Sequence, residues 1–116
     1  MKGIGTDIIE IERVKHHSNN KAFIEKIFTE KEIRYAKSKK DFVSHLATTF
    51  AGKEAVFKAL GTGWTDGKEI EILRNKAGVP KAKVHGKLKN KLKEKKIRLS
   101  LSYTKDYAVA FAVIFS

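Results

Sequence analysis

Residues 41–63 read DFVSHLATTFAGKEAVFKALGTG, and this stretch decides the architecture. At about 100° per residue, Phe42, Val43, Leu46, Ala47, Phe50, Phe57 and Leu60 fall on one broad stripe, the pattern of a long helix from Asp41 to Leu60. Glu54 falls within that stripe, about 40° from Phe50, and Lys58 lies at its edge. A carboxylate in an apolar face needs a cation, a metal or water. Lys53, on the other flank, reads as a surface lysine with a snorkelling stem. The helix closes at Gly61-Thr62-Gly63, where glycine suits the left-handed cap position.

Strands and shorter helices surround it in the pattern. Ile4, Thr6 and Ile8 alternate with Gly3, Gly5 and Asp7, which is a strand with Asp7 near its C-terminal end. The Gly3-Gly5-Asp7 face admits either a closely packed helix or a ligand near the backbone, and the helix is the simpler reading. Phe23, Ile24, Ile27 and Phe28 have helical spacing, after a polar stretch from His16 to Lys21. Thr29-Glu30-Lys31-Glu32 is a capping box with Phe28 and Ile33 as its hydrophobic staple, so a short helix starts near Glu30 and runs into Lys37 to Lys40. Glu69 to Leu73 alternates as a half-exposed strand, Asn75 to Pro80 is turn chemistry, and Ala82 to His85 suits a short returning strand. Gly86 to Lys96 reads as an exposed, lysine-rich helix. Leu99, Leu101 and Tyr103 alternate with serines. After a connection at Lys105-Asp106, Val109, Phe111, Val113 and Phe115 alternate with Ala108, Ala110 and Ala112. This predicts a terminal hairpin whose alanine face admits a helix or another subunit and whose larger face fills the core. The sum is an α+β fold, an antiparallel sheet packed on a long helix, as one domain over residues 1–116.

Composition narrows the function. The 116 residues carry 25 Lys+Arg against 13 Asp+Glu, a net charge of +12, so an acidic partner is expected. With 41% hydrophobic residues the chain is too apolar for a disordered basic tail. Absence of cysteine excludes disulfide scaffolds, thiolate nucleophiles and cysteine-based zinc sites. No segment approaches the roughly 18 apolar residues of a membrane span, and the N-terminus lacks a signal-peptide h-region, so a cytoplasmic protein without a membrane partner is expected.

Asp7 and Glu54 are the strongest candidates for chemistry. Two carboxylates without cysteine or a histidine cluster suit Mg²⁺, which typically takes one or two protein carboxylates and completes its shell with water and phosphate oxygens. The same residues also suit a Glu54–Lys58 pair at i, i+4 and an Asp7 that caps the following turn, and both readings stay open here. Lys58 followed by Gly61-Thr62-Gly63 presents an ammonium and glycine amides to one anion, although the order matches neither a P-loop nor a dinucleotide fingerprint. His16, His17, His45 and His85 show no metal spacing and read as surface or cap residues. The basic run from Lys81 to Arg98 has no interleaved aromatic, so it reads as a solvated face with no nucleic-acid partner.

Three stretches together resemble the bacterial holo-acyl-carrier-protein synthases, small 4′-phosphopantetheinyl transferases. They are Gly3-Ile4-Gly5-Thr6-Asp7-Ile8, Phe50-Ala51-Gly52-Lys53-Glu54-Ala55 continuing through Lys58 to Gly61-Thr62-Gly63, and Ser100-Leu101-Ser102-Tyr103-Thr104. Phe28-Thr29-Glu30-Lys31-Glu32 fits between them, so the resemblance covers nearly the whole chain in order. It implies a homotrimer with coenzyme A in a cleft between subunits. It also implies Mg²⁺ held by Asp7 and Glu54 against the coenzyme A pyrophosphate, with Lys58 beside it. Lys58, Gly61, Gly63, Tyr103 and Thr104 are the implied coenzyme A contacts, and Arg13 matches the basic residue that docks the acyl carrier protein. A carrier serine then attacks the phosphorus bearing the pantetheine arm, 3′,5′-ADP leaves, and either Glu54 or a water of the ion's shell takes the serine proton. The family usually has Arg where Thr49 stands and His where Tyr103 stands, both in the coenzyme A phosphate surroundings; neither replacement carries a charge near neutral pH. Two alternatives from other classes are a basic nucleic-acid-binding module and a catalytically silent trimer that only binds carrier protein.

Overall fold

The structure is a computed structural model that describes residues 2–116; Met1, the first residue of the expected domain, lies outside the described residues. In chain order the elements are β1 (Gly3–Glu10), α1 (Ile11–His17), α2 (Lys21–Ile27), α3 (Glu30–Lys37), α4 (Phe42–Leu60), a 3₁₀ turn (Gly67–Glu69), β2 (Ile70–Arg74), β3 (Pro80–Val84), α5 (Leu88–Leu92), β4 (Lys96–Tyr103) and β5 (Tyr107–Phe115). Strands β1, β5 and β4 form an antiparallel sheet with β5 in the centre, and β2 with β3 forms a separate hairpin. This is the expected α+β arrangement of an antiparallel sheet on a long helix.

Helix α4 starts at Asp41, whose carboxylate accepts from Ser44 N, and ends at Gly61, in the left-handed region at φ 77°. It packs against β1, β4 and β5 of the sheet and also against β2, α1 and α3. Being wrapped from several directions, it is buried nearly all round instead of along one stripe. Its least buried line is Phe50, Glu54 and Lys58, spaced by four, so Glu54 lies toward the outside and not within the buried stripe. The sheet approaches so closely that a Cβ on Gly3 or Gly5 would run into the carbonyl oxygens of Ala59 and Ala55. The glycine face of β1 is thus a helix-packing face, and the approach fixes Asp7 beside the last turns of α4.

The alanine face of β5 admits a helix as expected, whereas its larger face does not fill the core. Ala108, Ala110 and Ala112 are fully buried toward α4, while Tyr107, Val109 and Phe111 are exposed. The physical reason is the same short helix-to-sheet distance, which leaves room for methyl groups and none for larger side chains. Thr6 and Ile8 sit opposite Phe111 and Val109, so the outer face of the sheet carries an uncovered apolar patch with Ile4 and Ile8, 53% and 65% exposed.

Three further expectations change. Lys53 is fully buried instead of on the surface, because Glu32 and two backbone carbonyls take its ammonium. The lysine-rich stretch forms only the short α5, since Leu88 turns into the core and Lys93 leaves the helical region at φ 55°. Glu71, on the strand read as half exposed, is buried and meets His85 Nε2 at 3.1 Å. The capping box is present as read, with Thr29 Oγ1 accepting from Glu32 N and Glu32 Oε1 accepting from Thr29 N.

Candidate active site

Asp7 and the α4 line of Glu54 and Lys58 meet where β1 crosses the helix. Lys58 Nζ lies 3.2 Å from Asp7 Oδ1 and donates to Thr6 O at 2.9 Å. The Lys58 side chain remains 50% exposed and Asp7 15%, so the third hydrogen of the ammonium is available to a ligand. Burial lifts the Asp7 carboxyl above the usual carboxylate range, against the hydrogen bond and charge of Lys58. Burial also lifts Glu54, the like charge of Asp7 lifts it further, and Lys58 offsets part of this. Of the two ion-pair readings, the structure forms Lys58–Asp7, and Glu54 has no ion-pair partner among the described residues.

The ammonium therefore pairs with Asp7 and only partly offsets Glu54, which leaves an excess of negative charge when both carboxylates are ionised. Two hard oxygen donors with unmatched charge are the share of a coordination shell that Mg²⁺ usually takes from a protein. Among the described residues no group of three or more His, Asp or Glu side chains is placed to hold a metal, so the fit is to an ion that completes its shell with water or substrate.

The loop after α4 places the two candidate glycines differently. The Gly61 N–H caps the helix by donating to Lys58 O at 3.0 Å, and Thr62 N donates to Phe57 O. That commits the Gly61 amide and leaves Gly63, also left-handed at φ 69°, as the glycine whose amide is not part of the cap. Trp64 then packs on Phe50 and Phe57, its ring centroid 5.1 Å from each.

Tyr103 and Thr104 lie elsewhere. Thr104 Oγ1 accepts from Tyr107 N at 3.2 Å within the β4–β5 turn. Tyr103 borders a cavity of about 150 Å³ with Tyr35, His45, Thr48 and Arg74. His45 and Glu54 are nine residues apart on α4, which is about 180° around the helix, so this cavity and the Asp7–Glu54–Lys58 cluster occupy opposite flanks. Thr49 is buried with its hydroxyl donating to His45 O. Arg74 was not singled out in the sequence, where nothing marks it beyond a position before a turn. Its guanidinium lies 4.7 Å from the Tyr35 ring centroid, donates to Thr48 Oγ1 at 3.0 Å, and has no carboxylate partner among the described residues. Burial lowers its pKa, as it does that of His45, which Arg74 lowers further. Arg13 is exposed on α1, whose Ile11 and Val14 face the core.

Residues 3–112 match the family model described as the 4′-phosphopantetheinyl transferase superfamily. The chain belongs to that superfamily. A holo-[acyl-carrier-protein] synthase from Clostridium perfringens is 46% identical over 122 aligned positions, covering 97% of this chain and 92% of the relative. A holo-(acyl-carrier-protein) synthase from Bacillus anthracis, solved in complex with CoA (3′,5′-ADP), superposes with a TM-score of 0.85 at 35% identity, covering 99% of this chain and 96% of that one. The holo-[acyl-carrier-protein] synthase from Neisseria meningitidis gives a TM-score of 0.87 at 31% identity, covering 100% and 98%. The resemblance read in the sequence is established on these findings, and the chain is an enzyme of the phosphopantetheinyl transferase superfamily of the holo-[acyl-carrier-protein] synthase kind.

Proposed function

We propose that residues 1–116 work as one domain that transfers 4′-phosphopantetheine from coenzyme A to a serine of an apo acyl carrier protein and releases 3′,5′-ADP, with Asp7 and Glu54 holding Mg²⁺. The observation that carries this reading is the convergence of Asp7, from β1, and Glu54, from α4, around the half-exposed Lys58. Mg²⁺ bound there supplies charge neutralisation to the pyrophosphate, the main requirement of phosphoryl transfer. Lys58 turns its remaining N–H to the leaving phosphate, where negative charge grows as the bond to 3′,5′-ADP breaks. Lys58 holds Asp7 by hydrogen bond and charge, against the burial that raises its pKa. Glu54, less neutralised, is the better placed of the two carboxylates to take the proton that the serine loses as its oxygen bonds to phosphorus.

The division of candidate contacts between opposite flanks of α4 supports a site completed by a neighbouring copy. In a homotrimer associated through the sheet's outer face, around Ile4, Ile8, Val109 and Phe111, the Tyr103 cavity of one copy joins the Lys58 flank of the next. Arg74 supplies there the guanidinium that Thr49 lacks, and binds a phosphate of coenzyme A. Gly63 presents its amide to the pyrophosphate, and Arg13 meets the acidic carrier protein. The setting is fatty acid biosynthesis in the cytoplasm, without nucleic acid or membrane as partner; among the described residues no helix is long and apolar enough to cross a membrane.

Intact-mass analysis of an apo carrier protein tests this directly. One phosphopantetheine is added when enzyme, coenzyme A and Mg²⁺ are all present. Unmodified carrier under those conditions, with polynucleotide binding unaffected by Glu54→Ala, would favour the basic binding module instead. Native mass gives three copies for the wild type and fewer for Phe111→Lys.

A further inference from the structure

Lys53 and Glu32 form a second charged cluster, which the chemistry above does not use. Lys53 Nζ lies 2.7 Å from Glu32 Oε1, and both side chains are fully buried. The ammonium also donates to Gly67 O and Ile70 O. Glu32 Oε1 accepts from Thr29 N at 2.8 Å and Oε2 accepts from Ile72 N at 2.6 Å. All three ammonium hydrogens and both carboxylate oxygens are thus used, and the pair joins α4, the start of α3, the 3₁₀ turn and β2. Ion pairs of this kind contribute little stability, because desolvation offsets most of the Coulombic gain and apolar residues of similar volume often do as well. What the pair does specify is position.

The segment it positions is the loop from Gly61 to Asp66. Its first end is fixed by the α4 cap and its second by the Lys53 bonds to Gly67 and Ile70. Between them, Trp64 packs on Phe50 and Phe57. Gly67 leaves no room for a Cβ, which would meet the Trp64 ring at 2.9 Å and the Ile27 carbonyl oxygen. Lys53 therefore clamps the far end of the loop that begins three residues after Lys58, from the position next to Glu54.

We propose that Lys53, with Glu32, is a positioning residue: through Gly67 and Ile70 it sets where the Gly61–Asp66 loop lies relative to Glu54 and Lys58, and so how well coenzyme A is held. The pair touches no substrate. This rests on the transferase reading given above.

Trp64 is the sole tryptophan, so its fluorescence reports the loop. The double variant Lys53→Met/Glu32→Gln removes both charges together and leaves no ion unpaired. It is expected to keep its far-ultraviolet circular dichroism and a cooperative melt, with Trp64 emission shifted to the red. KM for coenzyme A rises about tenfold, with kcat within about threefold and KM for carrier protein unchanged. A fall in kcat with Trp64 emission and KM for coenzyme A unaltered overturns the inference, as does a variant identical to wild type. If the double variant does not fold, Lys53→Arg, which keeps the charge against Glu32 and alters the reach to the two carbonyls, is read the same way with a smaller rise in KM. Wild-type protein without transfer activity would sink the transferase reading itself, a result distinct from an active wild type whose variant leaves Trp64 and KM unmoved.

Discussion

Lys53 and Glu54 are neighbours on one helix and sit in opposite electrostatic situations. Lys53 is fully buried with every hydrogen placed, on Glu32 and on two carbonyls. Glu54 is partly exposed, faces the like charge of Asp7, and finds no ion-pair partner among the described residues. A satisfied buried charge defines where segments lie, whereas an unsatisfied charge at the surface is held ready for something that arrives. On the proposed reading, the difference separates a residue of the framework from a residue of the site, although one peptide bond links them.

Glu54→Gln breaks the comparison on the side of the site. Transfer falls on the order of a thousandfold or more, several kcal/mol of charge stabilisation, while the fold survives. Its effect on stability has the opposite sign. A carboxyl whose folded-state pKa is raised contributes stability below its ordinary pKa and loses it as pH rises through the raised value, so the ionised Glu54 is a cost at pH 7. Melting curves at pH 4 to 8 without divalent ion should show the variant at least as stable as wild type at neutral pH, with the advantage vanishing in acid.

Lys53→Met alone tests the framework side. It leaves Glu32 buried and unpaired, and denaturant titration should show a loss of about 3–5 kcal/mol. Lys58→Met, at a half-exposed pair, costs at most about 1 kcal/mol while activity collapses. Gly5→Ala sharpens how the two sides are joined. Its methyl meets the Ala55 carbonyl, so β1 must move off α4 at a cost of about 1–3 kcal/mol, taking Asp7 with it, and activity falls more than stability does. The smallest effect is expected at Arg74→Ala, with KM for coenzyme A raised about tenfold, or 1.4 kcal/mol, and kcat little altered, as steady-state kinetics would show.

Local features were readable in the sequence because their causes are local. The Thr29–Glu32 capping box and the Gly61 cap each depend on residues within one turn, and both are present. The alternation of β5 and an alanine face open to a helix were also readable, but not that the larger face stays outside. Side-chain size suggested that Phe111 and Val109 fill the core, yet the distance between β5 and α4 is set by Gly3 and Gly5, far away in the chain, and only alanines fit that gap. Lys53 was misread for the same reason, since its partner Glu32 belongs to another helix and already had a local role as a cap. Spacing alone left Asp7 and Glu54 as two candidates with open alternatives; the crossing of β1 over α4 joins them around Lys58. Arg74 carries no sequence signal, because its proximity to Tyr103 depends on how the β2–β3 hairpin packs beside β4.

On the proposed reading, Asp7 and Glu54 share one divalent ion. Calorimetric titration of Mg²⁺ into the protein with 3′,5′-ADP present tests it most directly. One ion per copy is expected for wild type and none for Glu54→Gln at the same concentrations. Equal binding by the two proteins, or full transfer activity in excess chelator, would contradict it.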